Sequence, residues 1–181
     1  MNNCKLFLKI SPLIFLLSCQ TVAEKVDEKK IIDKKVNQMS SCDKVQALIK
    51  SHNTNFDQVK EQKSSTKLLD IWSSRYHLIG KNCQVFGWGG GKSSYSCSIT
   101  SPGEMVAMEQ YINAKTDIQA CLGDTWTLEE RARRGKKGMV AIFTNGQSNT
   151  DVATHAFETN GIFNDEWTNY VFVGDSKRIK K

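Results

Sequence analysis

The stretch CQVFGWGGGKSSYSC, from Cys83 to Cys97, restricts the fold more than any other part of the sequence. Three consecutive glycines supply the positive φ angles that a tight chain reversal needs, and both flanks contain strand-forming residues. A hairpin centred on Gly90 pairs residue 84 with 96 and residue 85 with 95, so it places Cys83 opposite Cys97. The stretch therefore predicts two antiparallel strands joined by a disulfide.

The GGGKSS segment within this stretch is similar to part of a nucleotide-binding loop. The pattern G-x-x-x-x-G-K-[ST] needs a glycine five residues before Gly91, but Phe86 stands there. It also needs a helix after Lys92, whereas the SSYSCSI that follows is typical of a strand. The spacing argues against nucleotide binding, and we expect no cofactor.

The N-terminus carries a short targeting pattern. Lys5 and Lys9 lead into an apolar run, Ile10 to Leu17, of about eight residues, whereas a membrane-spanning helix needs roughly 20. The run ends in Leu16-Leu17-Ser18-Cys19, which resembles the lipobox of bacterial lipoproteins. This resemblance implies that residues 1–18 are a signal peptide and that Cys19 becomes the lipidated N-terminus, which holds the protein on a membrane.

The lipoprotein resemblance also implies a location. Gln20 follows Cys19, where lipoproteins retained at the inner membrane of enteric bacteria carry Asp. The expected location is the outer membrane, facing the periplasm. Residues 19–40 are dense in Lys, Glu and Asp, so we expect a charged tether between lipid and domain. The alternative is an ordinary cleaved signal in which Cys19 is incidental.

Cysteine usage agrees with an exported protein. If Cys4 leaves with the signal and Cys19 takes lipid, four cysteines remain, namely Cys42, Cys83, Cys97 and Cys121. An even number in an oxidising compartment predicts two disulfides. With Cys83 joined to Cys97, the second bridge joins Cys42 to Cys121, near the start of one helix and the end of another. No pair has a C-x-x-C spacing and no histidine clusters with them, so we expect no metal site.

Periodicity predicts a single domain over residues 41–176, followed by a basic tail over 177–181. Ser40 is the expected N-cap of a first helix, with Asp43 in its first turn and an apolar stripe that ends at His52. FDQVK and KLLDIWSSRYHLI are expected to contribute strands. Alternation within KLLDIWSSRYHLI places Trp72, Ser74, Tyr76 and Leu78 on one face of the predicted strand.

A long helix of about 18 to 20 residues is the next expected element. Ser101, Pro102 and Glu104 form the pattern of an N-cap, a first-turn proline and a capping box, and Gly123 marks the end. Its predicted apolar stripe is Met105, Met108, Tyr111, Ile112, Ile118, Cys121 and Leu122. The two methionines are interpreted as core residues.

The last third of the chain is rich in strand signals. Thr127 and Glu130 suggest a capping box and a short helix over residues 128–134, and a strand through WTLEER is the alternative. MVAIFTN, DVATHAFET and EWTNYVFVG are typical of strands. The order of elements predicts an α+β fold with a single antiparallel sheet, a short N-terminal helix and one long central helix packed on one face.

The sequence favours a non-enzymatic binding or interaction module of the cell envelope. It lacks the G-x-S-x-G and H-E-x-x-H patterns, and His52, His77 and His155 fall in different predicted elements. His155 is interpreted as a core histidine or as one with its hydrogen bonds satisfied. The alternative is an envelope hydrolase that acts on peptidoglycan or glycan through carboxylates that the sequence does not identify.

Candidate contact residues fall into two groups. The tryptophans Trp88, Trp126 and Trp167 are candidates for a protein or polymer partner, because aromatic residues anchor interfaces. Core packing is the alternative for each of them, and Trp88 is expected to be exposed near the hairpin tip. A basic segment, RARRGKK, is a candidate for anionic envelope material, or else a solvated loop; its charges are Arg131, Arg133, Arg134, Lys136 and Lys137. Export makes nucleic acid an unsuitable partner despite the net charge of +6.

Overall fold

The computed structural model describes residues 29–66, 68–88, 90–160 and 165–175. The predicted signal peptide, the lipobox with Cys19 and the basic tail lie outside the described residues. Helix α1 occupies residues 29–38, within the predicted tether, and residues 39–181 form a separate compact unit. In the described ranges, no helix combines the length and the apolar character needed to cross a membrane.

The described residues of the compact unit form two helices and eight strands, and the strands form one antiparallel sheet in the order β1-β2-β3-β4-β8-β7-β6-β5. The predicted α+β fold is therefore confirmed. In chain order, the elements are α2 Ser41–His52, β1 Lys60–Ser65, β2 Asp70–Ser74, β3 Asn82–Trp88, β4 Lys92–Ser101, α3 Glu104–Leu122, β5 Thr127–Ala132, β6 Gly138–Thr144, β7 Asp151–Asn160 and β8 Asp165–Gly174.

The β3–β4 hairpin has the predicted register. Cys83 lies opposite Cys97, and Val85 lies opposite Tyr95. Gly90 and Gly91 at the reversal have φ angles of 81° and 72°, which a side chain would make unfavourable. The disulfides Cys83–Cys97 and Cys42–Cys121 are both formed, as predicted. The second of them ties the start of α2 to the end of α3.

The start of α2 and the end of α3 match their predictions, but the start of α3 does not. Ser40 and Asp43 form a capping box at α2, and α3 is 19 residues long and ends at Gly123 with a φ of 73°. Its first residue is Glu104, after Gly103, with no side-chain cap. Ser101 belongs to β4 instead, where it pairs with Trp167 of β8, and its hydroxyl donates to Gln110 Oε1 at 2.6 Å.

Two predicted strands differ in extent. FDQVK forms turns, because Asn55 and Phe56 adopt positive φ angles of 54° and 61° and reverse the chain after α2. Phe56 is fully buried there, and the strand begins only at Lys60. In KLLDIWSSRYHLI the strand spans Asp70–Ser74, and the residues that follow leave the sheet while Tyr76 and Leu78 still pack on the core.

The predicted short helix over 128–134 is wrong, and the alternative strand is correct. β5 pairs along its length with β6, from Thr127 opposite Thr144 to Ala132 opposite Met139. Glu130, expected to cap a helix, instead accepts hydrogen bonds from the Tyr111 hydroxyl at 2.8 Å and Lys115 Nζ at 2.9 Å on α3. Pairing with the sheet and contacts with α3 therefore override a local helix signal.

Helices α2 and α3 pack on one face of the sheet and enclose the main core there. Asn169 of β8 joins α3 to the sheet, since its Nδ2 donates to Ala107 O and to Gln110 Oε1, both at 2.9 Å. Two members of the predicted α3 stripe do not join the core: Met105 is 83% exposed and Ile112 is 50% exposed. The core interpretation holds for Met108 and fails for Met105.

The side chains that alternate with this core lie on the opposite side of the sheet, which we call the second face. It includes Phe86, Ser94, Ile142, Ala153, His155, Phe157, Tyr170 and Phe172. A small apolar cluster of Val140, Ile142 and Ala153 is buried on this face, with Phe172 packed against it. The second face and the loops at one end of it position the candidate site.

Candidate functional site

A cleft of about 940 Å³, here called the main cleft, lies between the end of the β3–β4 hairpin and the loop that joins β6 to β7. It reaches from the end of α2 to the second face. Its lining combines three aromatic side chains with many groups that form hydrogen bonds. The aromatic residues are Trp88, Tyr170 and Phe172, and the polar residues include His52, Asn55, Lys92, Ser93, Ser94, Asn145, Ser148, Asn149, Asp151 and Asp175.

A second cleft of about 500 Å³, here called the side cleft, adjoins the main cleft. Trp72, Leu69 and Asp70 lie in its lining. Both clefts share the wall formed by Asn55, Trp88, Gly91, Lys92 and Ser93. The two clefts therefore form one extended groove around the end of the hairpin.

Trp88 stands in the shared wall in a fixed orientation. Its Nε1 donates a hydrogen bond to Ser94 Oγ at 2.9 Å, and its ring stacks on Phe86 with 6.0 Å between centroids. The residue is half-buried, so the prediction of an exposed Trp88 is wrong. The hydrogen bond holds the indole along the groove instead of letting it project into solvent.

The other two predicted tryptophans lie outside both clefts. Trp167 is 3% exposed on the helical side of β8, and Trp126 is half-buried against the main core. The core alternative is correct for Trp167 and describes Trp126 in part. Trp126 lines a separate cleft of about 230 Å³, so of the three candidates only Trp88 lies in the main cleft and the side cleft.

The backbone of the shared wall is strained. Asn55 and Phe56 are consecutive residues with positive φ, a conformation that is costly for a bulky side chain. Phe56 is fully buried, and Asn55 Oδ1 accepts a hydrogen bond from Ser93 Oγ at 3.1 Å. The strain is therefore maintained by packing and holds Asn55 at the junction of the clefts.

His52 lies at the end of the main cleft with a hydroxyl beside it. His52 Nδ1 and Thr150 Oγ1 share a hydrogen bond of 2.7 Å. Burial lowers the pKa of His52, and the negative charges of Asp175 and Asp151 oppose that shift. A histidine next to a hydroxyl is the arrangement of a base and its nucleophile. Thr150 is only 1% exposed, however, so its hydroxyl does not face a substrate.

Asp151 and Asp175 bring two carboxyl groups to the main cleft. Asp175 forms an ion pair with Lys92 at 3.7 Å, and the two side chains are 32% and 63% exposed. A hydrolase that protonates a glycosidic oxygen needs a carboxyl group whose pKa is raised by an apolar environment. Asp175 is instead partly exposed and paired with a lysine. Among the described residues, no three His, Cys, Asp or Glu side chains converge as metal ligands would.

Further along the second face, aromatic and cationic side chains form a cluster. His155 stacks on Tyr170 with 4.2 Å between ring centroids, and Phe157 meets Tyr170 edge-on at 5.8 Å. The guanidinium carbon of Arg133 lies 4.1 Å from the centroid of Phe157. His155 is 2% exposed, which agrees with its interpretation as a core residue.

The hydrogen bonds of this cluster are incomplete. Neither ring nitrogen of His155, nor the buried Nη1 of Arg133, has a hydrogen-bond partner among the described residues. Of the two interpretations, the core one describes His155, whereas no described residue satisfies its ring nitrogens. Burial, together with the positive charges of Arg133 and Arg131, lowers the pKa of His155 to about 3. The imidazole is neutral at physiological pH.

The five charges of RARRGKK do not form one uniform patch. Arg131 Nε lies 3.4 Å from Glu129 Oε1, and Lys137 Nζ lies 3.1 Å from Glu158 Oε1. Arg133 packs on Phe157, while Arg134 and Lys136 are exposed in the turn between β5 and β6. Lys136 Nζ also lies 5.7 Å from the Phe157 centroid, so the interpretation as a solvated loop describes Arg134 best.

Sequence reasoning missed Tyr170 and Phe172 as site residues. Their alternation in EWTNYVFVG places them on one face of a strand, but the partner strand was not deducible from that pattern. The register of β7 and β8 is what sets Tyr170 opposite His155. No protein-family model, curated protein or solved structure matches this chain.

Proposed function

We propose that the protein is a lipid-anchored lipoprotein of the bacterial envelope whose domain binds a glycan strand without cleaving it. The lipobox-like Leu16-Leu17-Ser18-Cys19 supports the anchor, and the two disulfides agree with an oxidising compartment. The expected location is the outer membrane, facing the periplasm.

The observation that carries the binding proposal is the continuity of the two clefts along Trp88. An extended groove suits a linear polymer better than a compact metabolite. Trp72, Trp88, Tyr170 and Phe172 line the two clefts, where aromatic side chains can pack against the apolar faces of sugars. Amide and hydroxyl side chains between them can donate to and accept from sugar hydroxyls.

Fixed side chains also favour binding. Trp88 is oriented by Ser94, and Asn55 is held by Ser93 and by the strained backbone around it. Groups that are already ordered lose less conformational entropy when a ligand binds. The main cleft is thus suited to recognition.

The test is co-sedimentation of the full chain, solubilised in detergent, with purified insoluble peptidoglycan. Trp88→Ala should weaken retention by roughly tenfold or more, because a central aromatic anchor contributes about 2 kcal/mol. Trp126→Phe is the matched control, since Trp126 lies outside both clefts, and it should bind normally. Equal retention of the wild type and Trp88→Ala would contradict the proposal.

A glycan hydrolase is the second candidate, because Asp151 and Asp175 line the same cleft. The same incubation distinguishes the two functions if the supernatant is analysed for reducing ends. Binding alone should release none. Release of soluble fragments by the wild type, but not by Asp151→Asn or Asp175→Asn, would establish hydrolysis instead.

A further inference from the structure

We propose that Arg133, His155 and Tyr170 form a binding site for a phosphate group on the second face. The site is distinct from the shared wall of the two clefts, and it does not depend on glycan binding. Tyr170 is common to the site and the main cleft.

The turn between β5 and β6 holds Arg133 in place. The Arg133 backbone N donates to Gly138 O at 3.0 Å, and Gly138 pairs with Phe157 of β7. Gly138 has a φ of 132°, and a Cβ atom at this position would lie 2.0 Å from Ala156 O, so no side chain fits there. This close approach sets the guanidinium over the Phe157 ring, beside the stacked pair of His155 and Tyr170.

Arg133 and Tyr170 share a side-chain hydrogen bond, but the buried Nη1 of Arg133 and the two ring nitrogens of His155 have no partner among the described residues. Arginine has only donors, a neutral imidazole has one N–H, and a phenol has one O–H. An unpaired buried polar group costs about 1–3 kcal/mol, so several at one place indicate a missing partner. That partner must accept hydrogen bonds, and it must reach both the guanidinium and the imidazole.

The charged groups that act on this site are positive, so the missing partner should be an anion. The charged groups that act on His155 are Arg133 and Arg131, and Arg131 is compensated by Glu129. Arg133 likewise acts on Tyr170, where its positive charge and its hydrogen bond to the phenol oxygen oppose the rise in pKa that burial causes. No carboxylate is paired with Arg133 in the described part of the chain. A phosphate group offers several acceptor oxygens and suits the planar fork of arginine.

The location of the site explains how a larger ligand could reach it. On the second face, strand β7 runs from Asp151 at the main cleft to Phe157 beneath Arg133, and it is paired with β8 over this distance. Six residues along a strand span about 20 Å. Tyr170 lies between the two ends, and its ring covers the imidazole of His155. A phosphate carried by a polymer or by a lipid headgroup could occupy the same site.

The first experiment titrates the full chain in detergent with inorganic phosphate at about 150 mM NaCl and follows ³¹P NMR line widths. We expect Arg133→Gln to weaken phosphate binding by about tenfold or more, because a charge-assisted hydrogen bond contributes roughly 1.5–3 kcal/mol. Arg134→Gln is the matched control, since it removes the same charge from the next residue, which is exposed. It should change binding by less than about twofold, the weak effect of a screened surface charge.

A second variant and a chemical measurement make the test independent of folding defects. Tyr170→Phe keeps the ring that stacks on His155 and should weaken phosphate binding about threefold or more by removing one donor. In the wild type, phosphate should protect Arg133, but not Arg134, from phenylglyoxal, as read by peptide mass spectrometry. Absence of phosphate binding, equal loss in the two arginine variants, or equal modification of both arginines would overturn the proposal.

Vesicles distinguish the sources of the phosphate. If the site serves a lipid headgroup, vesicles with phosphatidic acid should compete with inorganic phosphate, and vesicles of phosphatidylcholine should not. If the site serves a free or polymer-borne phosphate, inorganic phosphate should bind without competition from either vesicle. The peptidoglycan test with Trp88→Ala is independent of these results, so the two proposals can fail separately.

Discussion

Trp88 and Ser94 lie across the β3–β4 hairpin from each other, and the indole Nε1 donates a hydrogen bond of 2.9 Å to the serine hydroxyl. The register sets Trp88 opposite Lys92 and Phe86 opposite Ser94, so the bond runs diagonally between neighbouring pairs. It turns the indole toward Phe86 and into the wall between the clefts. This contact makes Trp88 a fixed part of the groove.

Ser94→Ala should release the Trp88 ring. The lost hydrogen bond contributes about 1 kcal/mol, and we expect a red shift of tryptophan emission and a weaker affinity for peptidoglycan. Ser96→Ala is the control, because Ser96 lies on the same strand face two residues away. If both variants bind like the wild type, the orientation of Trp88 does not matter for binding.

The two disulfides should stabilise the fold unequally. Cys42–Cys121 closes a sequence separation of 79 residues, and Cys83–Cys97 closes one of 14. In the chain-entropy account these loops correspond to roughly 4.5 and 3 kcal/mol. Replacing the first pair by serine should thus lower the free energy of unfolding more than replacing the second, in urea titrations. The reverse order would show that chain entropy does not dominate.

Acidification should destabilise the protein through His155. Its pKa is about 3 in the folded state, against 6.5 as the ordinary value, so the unfolded chain takes up a proton first as the pH falls. The contribution of His155 to the free energy of unfolding is fully present above pH 6.5, and it is lost as the pH falls from 6.5 to 3. Between pH 7.5 and 5, the loss from this group is about 2 kcal/mol.

His155→Phe keeps an aromatic ring against Tyr170 and should remove that part of the pH dependence. Urea unfolding at pH 7.5 and pH 5 measures the pH dependence of the free energy of unfolding for the wild type and the variant. His52, whose pKa is also lowered, contributes in the same direction and remains in the variant. An unchanged pH dependence in His155→Phe would contradict the burial of a neutral imidazole.

Gly138→Ala should disrupt the β5–β6 hairpin. An alanine there would combine an unfavourable φ of 132° with a contact of 2.0 Å to Ala156 O, so we expect a loss of at least about 2 kcal/mol. Gly146→Ala is the matched control, since a Cβ at that position meets no atom within 4 Å. Thermal unfolding of the two variants should separate them clearly, and equal melting temperatures would refute the tight turn.

The lipid anchor is tested at Cys19. Cys19→Ser should abolish fatty-acid labelling and leave an uncleaved precursor, because the cysteine thiol is the site of lipid attachment in the lipoproteins that the motif resembles. The expected product carries two or three acyl chains, since one chain anchors only marginally. Processing and labelling that persist in the variant would rule out the proposed anchor.

Several features followed from the sequence because their causes are local. The glycines at 89–91, the spacing of Cys83 and Cys97 and the capping residues Ser40 and Asp43 each act over a few positions. Runs rich in strand-forming residues likewise predicted β6, β7 and β8. An even number of cysteines, with one pair assigned to a hairpin, left one partner for Cys42.

The tertiary structure decided the features that depend on partners distant in the sequence. Thr127 to Ala132 became a strand because β6 and α3 supply contacts that outweigh a local helix signal. Three separate segments contribute Arg133, His155 and Tyr170. These residues come together only because β5 pairs with β6, β6 with β7 and β7 with β8. The groove arises in the same way, from the ends of elements that are far apart along the chain. Local signals specify turns, caps and strand faces, whereas the order of strands in a sheet depends on long-range packing that no short pattern encodes.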